Sequence, residues 1–171
     1  MIRRIGIVAP EFPPGFGGVQ AYSFGLCKAL SAFGYELTIL VPETSESFNS
    51  NSDFVVSPIK ALKLRKRYDK ELIKHYDVDI WHCLNASYAW VSEFHPNVFL
   101  SVHGNDFLSV YYPTARLDLR ERFNFQFGAR LDHWLGKKLT KLLIASTLPN
   151  CKRVFANSNY TKQRLLAAYP N

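Results

Sequence analysis

The sequence predicts an α/β domain in which helices cover both faces of a mostly parallel sheet. Three observations support this fold class. Short apolar runs alternate along the chain with segments whose apolar residues recur at intervals of three and four. Glycine, proline, serine and asparagine collect in the connections between them. The chain has 171 residues, 47% of them hydrophobic, which is enough for one domain with a substantial core. Together these features predict a Rossmann-like three-layer domain.

The N-terminal segment predicts a strand, a glycine-rich loop, a helix and a second strand. The apolar run Ile5–Val8 is typical of a buried strand, and the prolines of residues 10–14 exclude regular structure directly after it. A helix is expected after Gly18, and a second strand at Leu37–Val41. The predicted apolar face of the helix consists of Tyr22, Leu26, Ala29, Leu30 and Phe33. Gly34 stands where a left-handed C-cap is expected.

The rest of the chain continues the alternation of strands and helices. Further strands are predicted at Phe54–Val56, Val78–His82, Val98–His103 and Val154–Asn157. Helices are predicted at about residues 60–75, 117–147 and 159–168. The Ser- and Asn-rich residues 44–53 are typical of a surface loop. No repeat or interdomain linker interrupts this pattern, so we expect one domain over residues 1–171.

The charge balance favours anionic partners. Lys and Arg number 21 against 14 Asp and Glu, for a formal net charge of +7. The predicted helix at residues 60–75 is especially rich in lysine and arginine. Such a helix either presents a solvated charged face or contacts anionic lipid head groups. Besides membrane surfaces, phosphorylated substrates and nucleic acid are anionic partners that this charge would favour. The sequence carries no RRM, KH or zinc-finger motif, so we expect no nucleic-acid binding.

The chain also lacks features of secretion, membrane insertion and metal binding. The apolar run behind Met1 stops at Pro10 and Glu11, and no uncharged run could span a bilayer, so we expect a cytoplasmic protein. Three widely spaced cysteines indicate no disulfide framework or zinc site. Asp77-Val78-Asp79 precedes a strand, at the opposite edge from the other polar segments, and is interpreted as a turn. We therefore predict no metal and no cofactor.

Polar and small residues follow the predicted strands at their carboxyl ends, where parallel α/β sheets bind ligands. They are the segments at residues 10–18, 82–85, 103–106 and 157–161. The first contains Gly15, Gly17 and Gly18 in front of a helix. Unpaired amides and the dipole at a helix start attract anions, and glycine lets a ligand approach the backbone. The alternative is a tight turn without a ligand.

Named phosphate motifs do not match this loop. Gln20 stands where the G-x-G-x-x-G fingerprint needs glycine, and the Gly-Lys-Ser/Thr of a P-loop is absent. A dinucleotide site would also need an acid after the second strand, and Glu43 lies near that place. An NAD-binding or other nucleotide-binding Rossmann domain thus stays open as an alternative. No G-x-S-x-G elbow indicates a nucleophilic hydrolase.

Four segments together carry a resemblance to a known family. They are "PEFPPGFGGVQAYSFGLCKALSAFGYELTIL", "DVDIWHC", "SVHGNDF" and "RVFANSNYTKQRLL". In order and spacing the chain resembles the N-terminal domain of family-4 retaining glycosyltransferases of GT-B fold. The likeness extends over residues 5–169. Many relatives carry a second histidine where Leu84 stands here, so for His82 we expect a buried, hydrogen-bonded structural role.

The resemblance implies roles for individual residues. Gly17 and Gly18 would lie against the donor diphosphate or the acceptor, and His103 would contact the donor sugar as the catalytic histidine. Glu11 would face the acceptor, and Asp106 would line the cleft or hold its loop. Asn157 and Ser158 would form the cleft floor, although Ser158 could instead only cap the last helix.

The resemblance also implies a second, C-terminal domain that binds most of the nucleotide. Its Glu-x7-Glu pattern does not occur among the glutamates of this chain. Residues 1–171 are therefore expected to be the acceptor-side half of a longer enzyme, which transfers a sugar from a nucleotide-sugar donor to a lipid-linked or polysaccharide acceptor. Cell-surface glycans such as lipopolysaccharide or capsule are the expected products, made at the inner face of the plasma membrane.

Overall fold

A computed structural model describes residues 3–13, 17–42, 59–64, 66–104, 106–108 and 138–170. Within these ranges, six parallel strands form one sheet in the order β3-β2-β1-β4-β5-β6. The strands are β1 (Arg4–Val8), β2 (Glu36–Pro42), β3 (Ile59–Leu62), β4 (Ile80–Cys83), β5 (Val98–Val102) and β6 (Arg153–Ala156). This order reverses direction at β1, which lies between β2 and β4 and so creates a topological switch point.

Helices connect the strands. The α-helices are α1 (Gly18–Ala32), α2 (Lys66–His75), α3 (residues 138–147) and α4 (Asn159–Ala168). Two 3-10 helices occupy Ala86–Glu93 and Leu148–Asn150. None of the helices in the described ranges has the length and apolar character needed to cross a membrane.

Two hydrophobic clusters lie on opposite faces of the sheet. On one face, Ile5 and Ile7 of β1 pack with Cys27 of α1. On the other, Val8 belongs to a larger cluster that includes Ile73 of α2 and Leu165 of α4. Alternate residues of a strand point to opposite faces, so β1 contributes to both clusters. The predicted three-layer α/β fold with a parallel sheet is confirmed.

The C-terminus of α1 has the predicted glycine cap. Gly34 adopts a left-handed backbone conformation with φ of 82°. Its N–H donates to the Ser31 carbonyl at 2.9 Å, and the Tyr35 N–H donates to the Leu30 carbonyl at 3.2 Å. These two bonds form a Schellman motif, which ends the helix and directs the chain into β2.

The predicted apolar face of α1 is only partly correct. Tyr22 and Phe33 are 39% and 81% exposed, and Ala29 is also exposed. The fully buried side chains are Ser23 and Cys27, one position further along the helix than predicted. Small side chains at these two positions let α1 lie close to the sheet, although neither belongs to the predicted apolar face.

The region around β3 differs from the prediction. Residues 59–62 form a strand, where a helix starting at about residue 60 was expected. Pairing with β2 and complete burial of Leu62 outweigh the local helical periodicity. The helix begins at Lys66 instead. The strand predicted at Phe54–Val56 lies outside the described residues, as do residues 117–137 of the long predicted helix.

Smaller differences concern strand ends and one additional element. Val78 and Asp79 precede β4, His103 follows β5, and Asn157 follows β6, although each was predicted within its strand. The 3-10 helix Ala86–Glu93 was not predicted. Its first six residues are all buried, so its sequence has no amphipathic period from which it could be recognised.

Candidate active site at the carboxyl edge of the sheet

The connections after β1, β4 and β5 meet at the switch point of the sheet. In β-sheets of this order, ligands bind in the crevice outside the carboxyl ends of the strands. Glu11 lies after β1, Ala86 begins the 3-10 helix after β4, and His103 directly follows β5. Parallel pairing of β4 with both β1 and β5 brings the three connections to one edge.

The start of α1 is open for a ligand. Gly17 is the N-cap residue and offers no side chain to the free backbone amides of the first turn. Gly18, the first helical residue, is exposed, and a Cβ placed on it would meet no atom within 4 Å. The backbone of Gly17 is extended, with φ of 174°, so its conformation does not require glycine. Free amides and the helix dipole at such a helix start attract anions.

Glu11 is tied to the same helix. Its Oε2 accepts a hydrogen bond from Nε2 of Gln20 at 3.2 Å. Partial burial raises the pKa of Glu11, and the hydrogen bond from Gln20 opposes that rise. A Cβ on Gly17 would collide with the amide oxygen of Gln20. Because that oxygen is at the far end of a flexible side chain, Gln20 could move aside, and its hydrogen bond to Glu11 would then change.

The loop after β5 is closed on itself. The Asp106 N–H donates to the His103 carbonyl at 3.1 Å, and the His103 N–H donates to Oδ2 of Asp106 at 3.2 Å. Between them Gly104 has φ of 56°, a left-handed conformation that favours glycine. The Ala86 N–H also donates to Oδ2 of Asp106, at 3.3 Å. Asp106 thus joins the connection after β4 to the connection after β5.

Asp106 carries an unusual buried carboxyl group. The residue is 8% exposed, and its Oδ1 has no hydrogen-bond partner within the described residues. Burial raises the pKa of Asp106 to about 7, the backbone donors oppose the rise, and the charge of Glu11 adds to it. A buried polar atom without a partner is rare in native proteins. Its presence here favours a ligand that supplies the missing bond.

His103 is the second residue with an unpartnered buried atom. Its Nε2 is inaccessible to solvent and makes no hydrogen bond within the described ranges. Burial lowers the pKa of the imidazole, which favours the neutral form. The ring of Tyr22, in the second turn of α1, packs on it at 4.6 Å between centroids and an angle of 62°. His103 is therefore adjacent to the first turns of α1.

His82 has the buried structural environment that was expected. Its Nε2 is 2.8 Å from the Ser101 hydroxyl, which is in turn 3.1 Å from the Tyr22 hydroxyl. Burial and the neighbouring His103 lower the pKa of His82 to about 4, so the ring is neutral near pH 7. Sequence reasoning missed Tyr22 and Ser101. Tyr22 lies four residues after Gly18, one helical turn away, and this spacing could have indicated it.

Asn157 and Ser158 lie at the start of α4. Ser158 Oγ accepts the Thr161 N–H at 3.1 Å, which is an N-cap, and Asn157 Oδ1 accepts the Thr161 hydroxyl at 2.7 Å. The Asn157 N–H donates to the Val102 carbonyl at 3.3 Å, which positions it beside the end of β5. Ser158 therefore has the capping role considered for it, and both side chains are exposed.

Asp77 and Asp79 lie at the opposite edge and have structural partners. Asp79 Oδ2 accepts the backbone N–H groups of Arg3 and Arg4, each at 2.9 Å. Asp77 forms a salt bridge with Arg4 at 2.6 Å. They fix the start of β1, in agreement with their interpretation as a turn. In the described part of the chain, no group of three His, Cys, Asp or Glu could hold a metal.

Comparison with known proteins assigns the chain to a family. A sequence model of Glycosyltransferase Family 4 matches residues 16–171, which is most of the chain. The chain belongs to glycosyltransferase family 4. Curated protein sequences give no match. The family match starts within the glycine-rich loop and includes every element from α1 onwards.

Membership of glycosyltransferase family 4 gives the carboxyl edge its chemical context. The domain belongs to a transferase that moves a sugar from a donor to an acceptor. The alternative of an NAD-binding domain required Glu43, which lies outside the described residues. For a glycosyltransferase, the open helix start and the two unpartnered atoms are groups that could receive a phosphate and sugar hydroxyls.

Proposed function

We propose that this domain is the acceptor-side half of a GT-B enzyme that transfers a sugar from a nucleotide sugar to a lipid-linked or polysaccharide acceptor. The proposed transfer retains the anomeric configuration. The observation that carries the proposal is the contact between Tyr22 and His103. It brings a histidine with a free Nε2 beside the open helix start at Gly18. An anion site and a sugar-binding group then lie at one edge.

The α1 start supplies electrostatic stabilisation in this proposal. Transfer breaks the bond between the anomeric carbon and the diphosphate oxygen, and negative charge develops on the leaving diphosphate. Free amides at Gly18 and the helix dipole would stabilise that charge in the transition state. Because Gly18 has no Cβ and no atom of the described residues lies within 4 Å of where one would be, a phosphate could approach the backbone directly.

His103 and the two carboxyl groups would bind hydroxyl groups. In a neutral imidazole, Nε2 either donates or accepts one hydrogen bond, and a sugar hydroxyl can supply either partner. Asp106 Oδ1 is buried and unpartnered, so it is a second candidate for a sugar hydroxyl. Glu11 is half-buried and held by Gln20, and it would face the acceptor. Asn157 and Ser158 are proposed to border the cleft, where Asn157 is exposed beside β5.

A partner domain completes the proposed enzyme. A GT-B cleft lies between two domains, and closure fixes the donor against the acceptor. We propose that the C-terminal domain of the same enzyme supplies most nucleotide contacts. The 171-residue chain alone would then fold, bind nucleotide sugars weakly and transfer no sugar. High-micromolar binding or weaker corresponds to about 5 kcal/mol of binding energy.

The lysine-rich surface of α2 supports a location at the inner face of the plasma membrane. Lys66, Lys70 and Lys74 are spaced by one turn and share one side of the helix. Their ammonium groups lie 5.6–6.0 Å from the ring centroids of Trp90 and Phe94. Lys66 also forms a salt bridge with Glu93 at 2.7 Å, whereas positive charge such as that of Lys70 and Lys74 attracts anionic lipid head groups.

Isothermal titration paired with a transfer assay tests the proposal. UDP-glucose, UDP-N-acetylglucosamine and GDP-mannose are titrated into the 171-residue chain, with NAD as the comparison ligand. Radiolabelled donors and a lipid extract then report transfer. Weak binding of at least one nucleotide sugar without turnover supports the proposal. Tight binding of NAD alone would support the dinucleotide alternative, and turnover by the chain alone would contradict the two-domain cleft.

A further inference from the structure

A chain of hydrogen bonds connects α1 to β4 through β5. Nε2 of His82 is 2.8 Å from the Ser101 hydroxyl, and that hydroxyl is 3.1 Å from the Tyr22 hydroxyl. Ser101 is 2% exposed, so water does not compete for these bonds. Three polar groups from three different elements are therefore linked beneath the carboxyl edge of the sheet.

The bonds in this chain are mutually consistent. Ser101 has one hydroxyl proton, so it donates to one neighbour and accepts from the other. His82 is neutral, and its Nε2 either accepts from Ser101 or donates to it, depending on the tautomer. With either tautomer, Ser101 can form its hydrogen bonds to His82 and to Tyr22 at the same time. Tyr22 is thus anchored at its hydroxyl, far from its own backbone.

This anchor matters because of what the Tyr22 ring contacts. The ring packs against the imidazole of His103 at 4.6 Å between centroids. No described residue hydrogen-bonds Nε2 of His103, and the packed Tyr22 ring is a contact that restrains the imidazole. A tyrosine free at its hydroxyl could rotate away from the histidine, whereas an anchored tyrosine could not.

We infer that Tyr22 is a positioning residue, held by Ser101 and His82, which fixes His103 relative to the open start of α1. Its importance for transfer rests on the proposed function. The physical coupling between Tyr22 and His103 does not, and it can be measured without any substrate.

NMR titration of the histidine imidazoles measures the coupling. The His103 signal is assigned from a His103→Gln variant, and its pKa is followed in Tyr22→Leu, Tyr22→Phe and Ser101→Ala. We expect Tyr22→Leu to expose the imidazole and raise its pKa towards the ordinary histidine value. Tyr22→Phe and Ser101→Ala should each raise the His103 pKa by a smaller amount. The double variant should raise it by no more than either single substitution does. Tyr68→Leu, an exposed tyrosine on α2, is the matched control and should leave His103 unchanged.

Two results would overturn the inference. One is a His103 titration in Tyr22→Leu that equals that of the unmodified chain. The other is full additivity of Tyr22→Phe and Ser101→Ala, which would mean that no hydrogen bond couples them. If Ser101→Ala fails to fold, Tyr22→Phe still removes the hydrogen bond between Tyr22 and Ser101, and it does so by a change on the more exposed residue.

Kinetics in the two-domain enzyme then separate this inference from the proposed function. We expect Tyr22→Leu to lower kcat by about tenfold with KM changed less than about twofold, and Tyr22→Phe to restore part of the loss. Normal kinetics in Tyr22→Leu together with a defect in His103→Ala would overturn the positioning role alone. Normal kinetics in His103→Ala would instead contradict the proposed function, whatever the NMR result.

Discussion

The ring of Tyr22 lies 4.6 Å from the imidazole of His103, and this contact joins the helix that follows β1 to the loop that follows β5. Tyr22 is one turn beyond Gly18, so the histidine lies beside the free amides of the helix start. In the proposed function, a diphosphate on those amides and a sugar at His103 would be adjacent parts of one nucleotide-sugar donor.

In the two-domain enzyme, Gly18→Val should reduce sugar transfer strongly without unfolding the protein. A Cβ at Gly18 meets no protein atom, but branched methyl groups there would occupy the space in front of the free amides. Valine has the higher helix propensity, by about 0.3–0.5 kcal/mol, so stability should not fall. Circular dichroism and a product assay on the same sample measure both effects.

Gly25→Val is the matched control for that substitution. Gly25 lies in the middle of α1, is exposed, and has no atom within 4 Å of an added Cβ. It should leave transfer unchanged. Equal activity of the two variants would show that the helix start does not bind the donor.

In the two-domain enzyme, His103→Ala should reduce turnover more than it reduces stability. The imidazole Nε2 makes no hydrogen bond within the described residues, so removing it breaks no hydrogen bond to them. Losing one well-placed hydrogen bond to a substrate costs about 1–3 kcal/mol, or roughly tenfold and upward in rate. Steady-state kinetics measure the change in turnover, and thermal unfolding of the same preparation measures the change in stability. Wild-type kinetics would make His103 a structural residue.

Asp106 should make the protein less stable as pH rises from about 4 to 7. Burial raises its pKa from 3.8 to about 7 in the folded protein. The folded state therefore binds the proton more tightly than the unfolded state, and this stabilisation is lost as pH rises through the folded pKa. Asp106→Asn keeps an oxygen for the two backbone donors but has no charge. It should be the more stable protein at pH 8, by on the order of a few kcal/mol.

Urea unfolding at several pH values measures this effect. Asp79→Asn is a useful comparison because backbone hydrogen bonds lower the pKa of Asp79, so its stabilisation is lost as pH falls. The two substitutions should change the pH dependence of stability in opposite directions. If Asp106→Asn leaves the pH dependence of the unfolding free energy between pH 4 and 7 unchanged, ionisation of Asp106 does not destabilise the folded protein, and the prediction is wrong.

Charge reversal on α2 should weaken binding to anionic vesicles. Lys70 and Lys74 stand one turn apart beside Phe94. Each lysine near an anionic surface contributes about 1 kcal/mol, so Lys70→Glu with Lys74→Glu should reduce binding by tenfold or more. Sedimentation with phosphatidylcholine vesicles, with and without phosphatidylglycerol, measures it. Lys28→Glu with Lys162→Glu is the control of equal charge, and an equal loss in that variant would indicate net charge alone.

Much of the fold could be predicted because its local patterns and its packing agree. The run Ile5–Val8 alternates between two buried faces, and Gly34 has the left-handed conformation that its place after a helix predicts. The strand Ile59–Leu62 could not be predicted, because its pairing with β2, and not a pattern in its four residues, determines it.

The candidate site was predicted by position rather than by contact. Parallel strands bring their carboxyl ends together, so His103, Asp106 and Glu11 could be grouped from the sequence. The link from Tyr22 through Ser101 to His82 depends on how far α1 lies from β5, which sequence does not encode locally. The sequence allowed Ser158 to cap the last helix, and its side chain does cap α4. A role of Ser158 in the cleft stays a prediction.

Two-dimensional amide NMR of the 171-residue chain during titration with UDP-glucose and GDP-mannose, to millimolar concentration, tests the central claim most directly. We expect saturable shifts at Gly17 and Gly18, at His103, and at Ala86, whose N–H is bonded to Asp106. The shifts at the glycines should be lost in Gly18→Val and kept in Gly25→Val. Shifts confined to other parts of the sheet, or no shift with either nucleotide sugar, would contradict a donor site at this edge.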